Sequence, residues 1–129
     1  MRTLLTLAVA LIGAATSLAA PAQPVGYAVD AANTRVHWEV RHFGTSTQRG
    51  RFGPVDAHIV LDRAARRGEL SVTISTAGVD SGVGPLDGML RGASFLAAAE
   101  FPQAFFVASG LVFDGDRLKE ARGEFTLRG

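Results

Sequence analysis

The stretch Val36-His37-Trp38-Glu39-Val40-Arg41-His42-Phe43-Gly44 decides the fold class of this 129-residue chain. Val36, Trp38, Val40 and His42 alternate with His37, Glu39 and Arg41. Successive side chains of an extended strand point to opposite faces, so this period of two predicts a strand with one apolar and one wet side. Phe43-Gly44-Thr45-Ser46 then reads as a turn. The same alternation returns twice downstream. Val55, Ala57, Ile59 and Leu61 alternate with Asp56 and His58, and Leu70, Val72 and Ile74 with Ser71, Thr73 and Ser75. Arg66-Arg67-Gly68 separates these two runs, and Asp114-Gly115-Asp116 is a sharp hairpin signal that sets Gln103–Val112 beside Arg117–Leu127. The strand reading from Arg49 to Asp62 is long, and Gly50, Gly53 and Pro54 within it predict a bend or bulge. The pattern is all-β and antiparallel. An apolar sheet face must be covered, and a long bent strand favours closure into a curved barrel over a sandwich.

One segment interrupts the strands. Between Val83 and Glu100 the β-branched residues give way to Ala, Leu and Met. Pro85 suits a first helical position, Gly92 a stop, and Ser94 a cap for a second turn over Phe95–Glu100. Two short helical segments are therefore expected over one end of the sheet.

The amino terminus reads as an address. Met1-Arg2 is a basic start, Leu4–Ile12 is apolar apart from Thr6, and Gly13–Ala22 is rich in small residues. Ala20-Pro21-Ala22 is a small-x-small pattern, placing signal-peptide cleavage after Ala22, with Ser17-Leu18-Ala19 as the rival site. Gly13, Thr16 and Ser17 dilute the run below what a membrane span needs. Residues 1–22 are thus expected to be a signal peptide, and residues 23–129 one exported domain without a transmembrane anchor.

Composition excludes several chemistries. The chain has 13 basic and 12 acidic residues, and without Arg2 the mature part is neutral, which gives no electrostatic basis for holding nucleic acid. The absence of Cys removes disulfides, thiolate nucleophiles, Cys-based metal sites and an N-terminal lipid anchor. His37 and His42, five apart on one strand, face opposite sides and cannot share a metal. No His accompanies a Gly-x-Ser-x-Gly motif, and Gly82-Val83-Gly84 lacks the Lys and long helix of a phosphate loop. Neither an enzyme nor a cofactor is expected.

From Tyr27 to Gly129 the order of motifs resembles the YceI-like family of secreted, lipocalin-like proteins that bind polyisoprenoids. The stretches are Val36–Gly44, Gly50-Arg51-Phe52, Val72-Thr73-Ile74 with Val79-Asp80, Leu90–Leu96, Phe101–Phe106 and Gly123–Gly129. The resemblance implies an eight-stranded antiparallel barrel holding an isoprenoid lipid or quinone, without catalytic machinery and located in the periplasm. His42 and Gly44 match the family's His-x-Gly, Gly50 and Phe52 its Gly-x-Phe, and Leu90-Arg91 its Leu-Arg. Phe101-Pro102 and Phe106 match its aromatic-Pro and following Phe. Trp38 stands where the family usually has Phe, Asn33-Thr34 replace a His-Ser, and Leu86-Asp87 and Met89 stand where the family has an Arg-Asp and a His. The family continues for about two strands beyond the last motif, leaving about six here. The domain would then be incomplete at its C-terminus, or complete itself as a homodimer.

The expected ligand-binding residues are Val36, Trp38, Val40, His42, Phe52, Val55, Ile59, Leu61, Val72, Ile74, Leu90, Phe95 and Phe106, with Leu96 and Phe101 also covering the interior from the insert. Polar groups expected at the mouth, beside His42, are Arg49, Arg51, Asp87 and Arg91. The expected function is an exported carrier of an amphiphilic isoprenoid. The alternative is an interaction module whose open strand edges pair with another chain.

Overall fold

The computed structural model describes residues 23–129; the signal-peptide assignment for residues 1–22 lies outside the described residues. The alternating runs form strands as their pattern dictates. In chain order the elements are β1 (Val25–Tyr27), β2 (Val36–His42), β3 (Ser46–Phe52), β4 (Val55–Asp62), β5 (Arg67–Ser75) and β6 (Val79–Asp80). The helix α1 (Gly84–Arg91) follows, then β7 (Gln103–Asp114) and β8 (Arg117–Thr126). All pairings are antiparallel.

The expected barrel does not form, and eight strands are present where about six are expected, the short β1 and β6 being too brief to show an alternation. The strands lie in two open sheets, one of five strands in the order β1-β4-β5-β7-β8 and one of three in the order β2-β3-β6. The reason lies in the segment read as a single bent strand from Arg49 to Asp62. It breaks at Gly53-Pro54, so that β3 pairs with β2 and β6 while β4 pairs with β1 and β5. Pro54 has no N–H to contribute to a ladder, and the glycine before it carries no side chain to hold an extended course. No ladder joins β8 to the smaller sheet, so closure fails at both edges.

The hairpins follow the turn chemistry. Asp114 pairs with Arg117 across Gly115-Asp116, with Gly115 at φ 63°. The β2–β3 connection closes with a hydrogen bond from the Thr45 N–H to the His42 carbonyl at 3.2 Å. Its central residues, Phe43 and Gly44, have φ of 50° and 68°, the signs of a type I′ turn.

Of the two expected helical segments, only α1 is a helix, with Pro85 in its first turn as anticipated. Ala93–Leu96 and Ala98–Glu100 are turns. Ala97, at φ 46°, reverses the chain there, and its carbonyl accepts the N–H groups of Glu100 and Phe101 at 2.9 and 2.8 Å.

Val55, Leu61, Ile74 and Ala104 are buried on one face of the larger sheet, where Ile74 pairs with both Val55 and Ala104. Val79, Ala97 and Ala98 complete the buried apolar set. A seam joins sheets and insert. The Gly53 N–H donates to the Gly78 carbonyl at 3.3 Å, the Thr76 N–H to the Pro102 carbonyl at 3.0 Å, and the Thr76 hydroxyl to the Phe101 carbonyl at 2.7 Å. Thr76 is fully buried. Thr76→Val keeps the shape but leaves the Phe101 carbonyl without that donor. It should cost about 1–3 kcal/mol of stability, read from urea unfolding.

Candidate functional site

The apolar face of β2 and β3 meets the insert around a pocket of about 320 Å³. Its walls are Trp38 and Val40 from β2, Phe52 from β3, Val79 from β6, Leu90 from α1, Phe95 and Leu96 from the following turn, and Leu127 just beyond β8. All eight are apolar or aromatic. Val40, Phe95 and Leu127 are 55, 46 and 43% exposed, so the pocket is open on their side.

Trp38 is seated by Gly50, its cross-strand partner. The indole occupies the space that a Cβ on Gly50 would take, and its buried N–H has no hydrogen-bond partner among the described residues. The strand alternation that faces Trp38 and Val40 to the pocket turns His37, Glu39 and Arg41 to the other side. Leu90 reaches the pocket because Arg91 anchors the end of α1. Its Nε donates to the Ala77 carbonyl at 2.7 Å and a terminal nitrogen to the Val79 carbonyl at 3.2 Å. Arg128 donates to the Phe95 carbonyl at 2.8 Å and so ties the segment carrying Leu127 to the Phe95 turn.

The structure therefore gathers five of the thirteen expected ligand-binding residues, Trp38, Val40, Phe52, Leu90 and Phe95, together with Leu96 of the expected cover. The other eight do not line this pocket. Val36 is half-buried at the start of β2, and His42 is exposed at the hairpin end with its ring edge-on to Phe43 at 4.3 Å. Val55, Leu61 and Ile74 are core, and Ile59, Val72 and Phe106 are half-buried on the five-stranded sheet. Sequence reasoning pooled the apolar faces of two sheets that the break at Gly53-Pro54 separates. It omitted Val79 and Leu127. Both lie in motifs that were singled out, and Leu127 continues the alternation of Phe125.

The polar groups assigned to the mouth are otherwise engaged. Asp87 is buried, accepting the Ser81 N–H at 2.7 Å and the Ser81 hydroxyl at 2.6 Å. Arg49 pairs with Glu39 at 2.8 Å and Arg51 with Asp80 at 2.7 Å, on the face away from the pocket. Among the described residues no group of three or more His, Asp or Glu is placed to hold a metal ion. No described helix is long and apolar enough to cross a membrane.

An antiparallel β fold with a helical insert and an apolar pocket narrows the class of protein, and comparison supplies the family. The YceI-like domain matches residues 27–129, and the chain belongs to that family. Protein YceI of Escherichia coli O157:H7 is 35% identical over 95 residues, covering 73% of this chain and 49% of that protein. A UPF0312 protein of Shewanella denitrificans is 32% identical over 122 residues, covering 92% of this chain and 64% of that one. The crystal structure of the Campylobacter jejuni YceI protein superposes with a TM-score of 0.58 at 27% identity, over 80% of this chain and 61% of the other. The chain spans about half the length of the YceI proteins it matches.

Two predictions follow from the seat of Trp38 and the seam beside it. Gly50→Ala should displace the indole and cost about 1–3 kcal/mol by overpacking, with a changed emission from the chain's single Trp. Asp80, on β6, is held below the usual aspartate range, first by the Gly82 N–H and then by the Arg51 guanidinium. A carboxylate with a depressed folded pKa stabilises above its unfolded pKa, and that contribution is lost as pH falls through the folded value. Acid titration of unfolding should therefore be flatter in Asp80→Asn than in the parent, below the ordinary carboxylate range.

Proposed function

We propose that the chain is a binding module that holds the apolar chain of an amphiphilic isoprenoid lipid or quinone in the pocket between the smaller sheet and the insert. The observation that carries this reading is a pocket whose eight walls are all apolar, at the lower end of the volumes that take small ligands. Apolar burial returns roughly 25 cal/mol per Å², so such a chain is held without a strong polar contact. The open side past Val40, Phe95 and Leu127 lets a ligand longer than the cavity continue outward. Membership of the YceI-like family supports the same reading, and the leader read from residues 1–22 supports export to the periplasm. The activity is carriage rather than catalysis.

Native mass spectrometry of the protein purified from its own host tests this. A retained apolar mass is expected, and Trp38→Ala or Leu90→Ala should lower its occupancy about tenfold, from the contact area lost. Phe106→Ala, on the five-stranded sheet, separates the pocket from the rest of the expected set, because it should leave occupancy nearly unchanged. A folded chain that never carries extra mass would end the reading.

A second reading has its own observation. β8 is hydrogen-bonded only to β7, and β2 only to β3, among the described residues, so each of these two long strands leaves an edge unpaired. Such edges are templates for pairing, and an interaction module, including a homodimer, would use them. Sedimentation at increasing concentration distinguishes it, since a monomer at every concentration contradicts the homodimer.

A further inference from the structure

The tip of the β2–β3 hairpin is built against the usual rules for a tight turn. Phe43 is 88% exposed, the most exposed large hydrophobic among the described residues, and it stands at φ 50°. Positive φ favours Gly, Asn or Asp, and a bulky residue there is rare. An aromatic ring so exposed, edge-on to the ring of His42, adds little to the core. Val40, also more than half exposed, lies on the same hairpin and borders the pocket mouth.

The charges around the tip have one sign. From Val40 to Gln48 the sequence carries Arg41 and no acidic residue. Arg41 makes no ion pair among the described residues, whereas Arg49 and Arg51, further down the hairpin, are matched by Glu39 and Asp80. An exposed aromatic ring beside an unmatched cation fits a surface that is apolar inside and anionic at its rim. A phospholipid bilayer has that chemistry, with its acyl boundary behind negative headgroups.

We propose that this hairpin tip docks on an anionic phospholipid membrane, Phe43 entering the interface and Arg41 meeting the headgroups. The proposal rests on the tip's exposure, backbone and charge, and stands whether or not the pocket holds an isoprenoid. It would bring the pocket mouth at Val40 close to the bilayer surface.

Flotation of the purified chain with vesicles tests it, using phosphatidylcholine alone and phosphatidylcholine mixed with phosphatidylglycerol. The parent should float with the mixed vesicles and much less with the neutral ones, and added salt should release it. Phe43→Asn should lower partitioning by about tenfold or more, the fold-change expected for burying a Phe side chain. Its thermal midpoint should stay level or rise, because Asn accepts positive φ. A residue serving only the fold would move both readouts down together. Arg41→Gln should lower partitioning about fivefold and weaken the salt dependence. The proposal is overturned if the folded parent ignores both kinds of vesicle, or if Phe43→Asn floats as the parent does. It is equally overturned if sedimentation shows Phe43 holding two copies of the chain together while vesicle binding is absent.

Discussion

Everything in this fold depends on the close approach of the chain at Gly53 to the chain at Gly78. A Cβ on Gly78 would collide with the Gly53 carbonyl, and the Gly53 N–H donates to the Gly78 carbonyl at 3.3 Å. Only glycine permits two backbones to come this near. On one side of the contact the chain passes from the smaller sheet to the larger at Gly53-Pro54. On the other it returns from β5 to β6 through a short 3-10 turn over Thr76–Gly78. The same place receives the end of the insert, where the Thr76 N–H and hydroxyl meet the carbonyls of Pro102 and Phe101. Three segments distant in sequence are thus joined by backbone groups that would otherwise be buried without partners.

This junction explains why the pocket belongs to the smaller sheet. β6 has only two residues, but its pairing with Arg51 and Phe52 places Val79 beside the Trp38 wall. Arg91 then reads the carbonyls of Ala77 and Val79, so the helix is fixed to the junction rather than to the larger sheet. Leu90 faces the pocket as a consequence. A hydrogen-bonded arginine at the end of a short helix holds an apolar wall that the helix's own burial would hold poorly.

Much of this was legible in the residues. Alternation located β2, β4 and β5, and Asp114-Gly115 set the β7–β8 pairing, because both signals act over a few residues. Pro85 announced α1. The partition into two sheets was not legible, since alternation tells which face a residue takes but not which sheet that face belongs to. Gly53 and Pro54 marked a bend, and whether a bend curves one sheet or ends it depends on distant partners such as Gly78. For the same reason alternation alone groups Val55, Ile59, Leu61, Val72, Ile74 and Phe106 with Trp38, although they lie on the other sheet. Asp87 and Arg91 looked like free charges because their acceptors and donors, Ser81, Ala77 and Val79, are named only by the tertiary fold.

The two sheets differ in what they leave unfinished, and the difference bears on function. The larger sheet exposes Phe105 and Val107 on one face of β7 and Phe125 on the opposite face of β8, next to an unpaired edge. That is a surface defined by backbone donors and acceptors, and it suits another strand. The smaller sheet exposes a side-chain-lined opening and an apolar, cationic hairpin tip, beside the free edge of its outer strand β2. That arrangement suits an amphiphile and the surface it comes from, because such partners offer area and charge but no ladder of hydrogen bonds. The break at Gly53-Pro54, where the chain leaves the smaller sheet for the larger, is what sets the pocket and the hairpin tip on one sheet and the exposed apolar residues of β7 and β8 on the other.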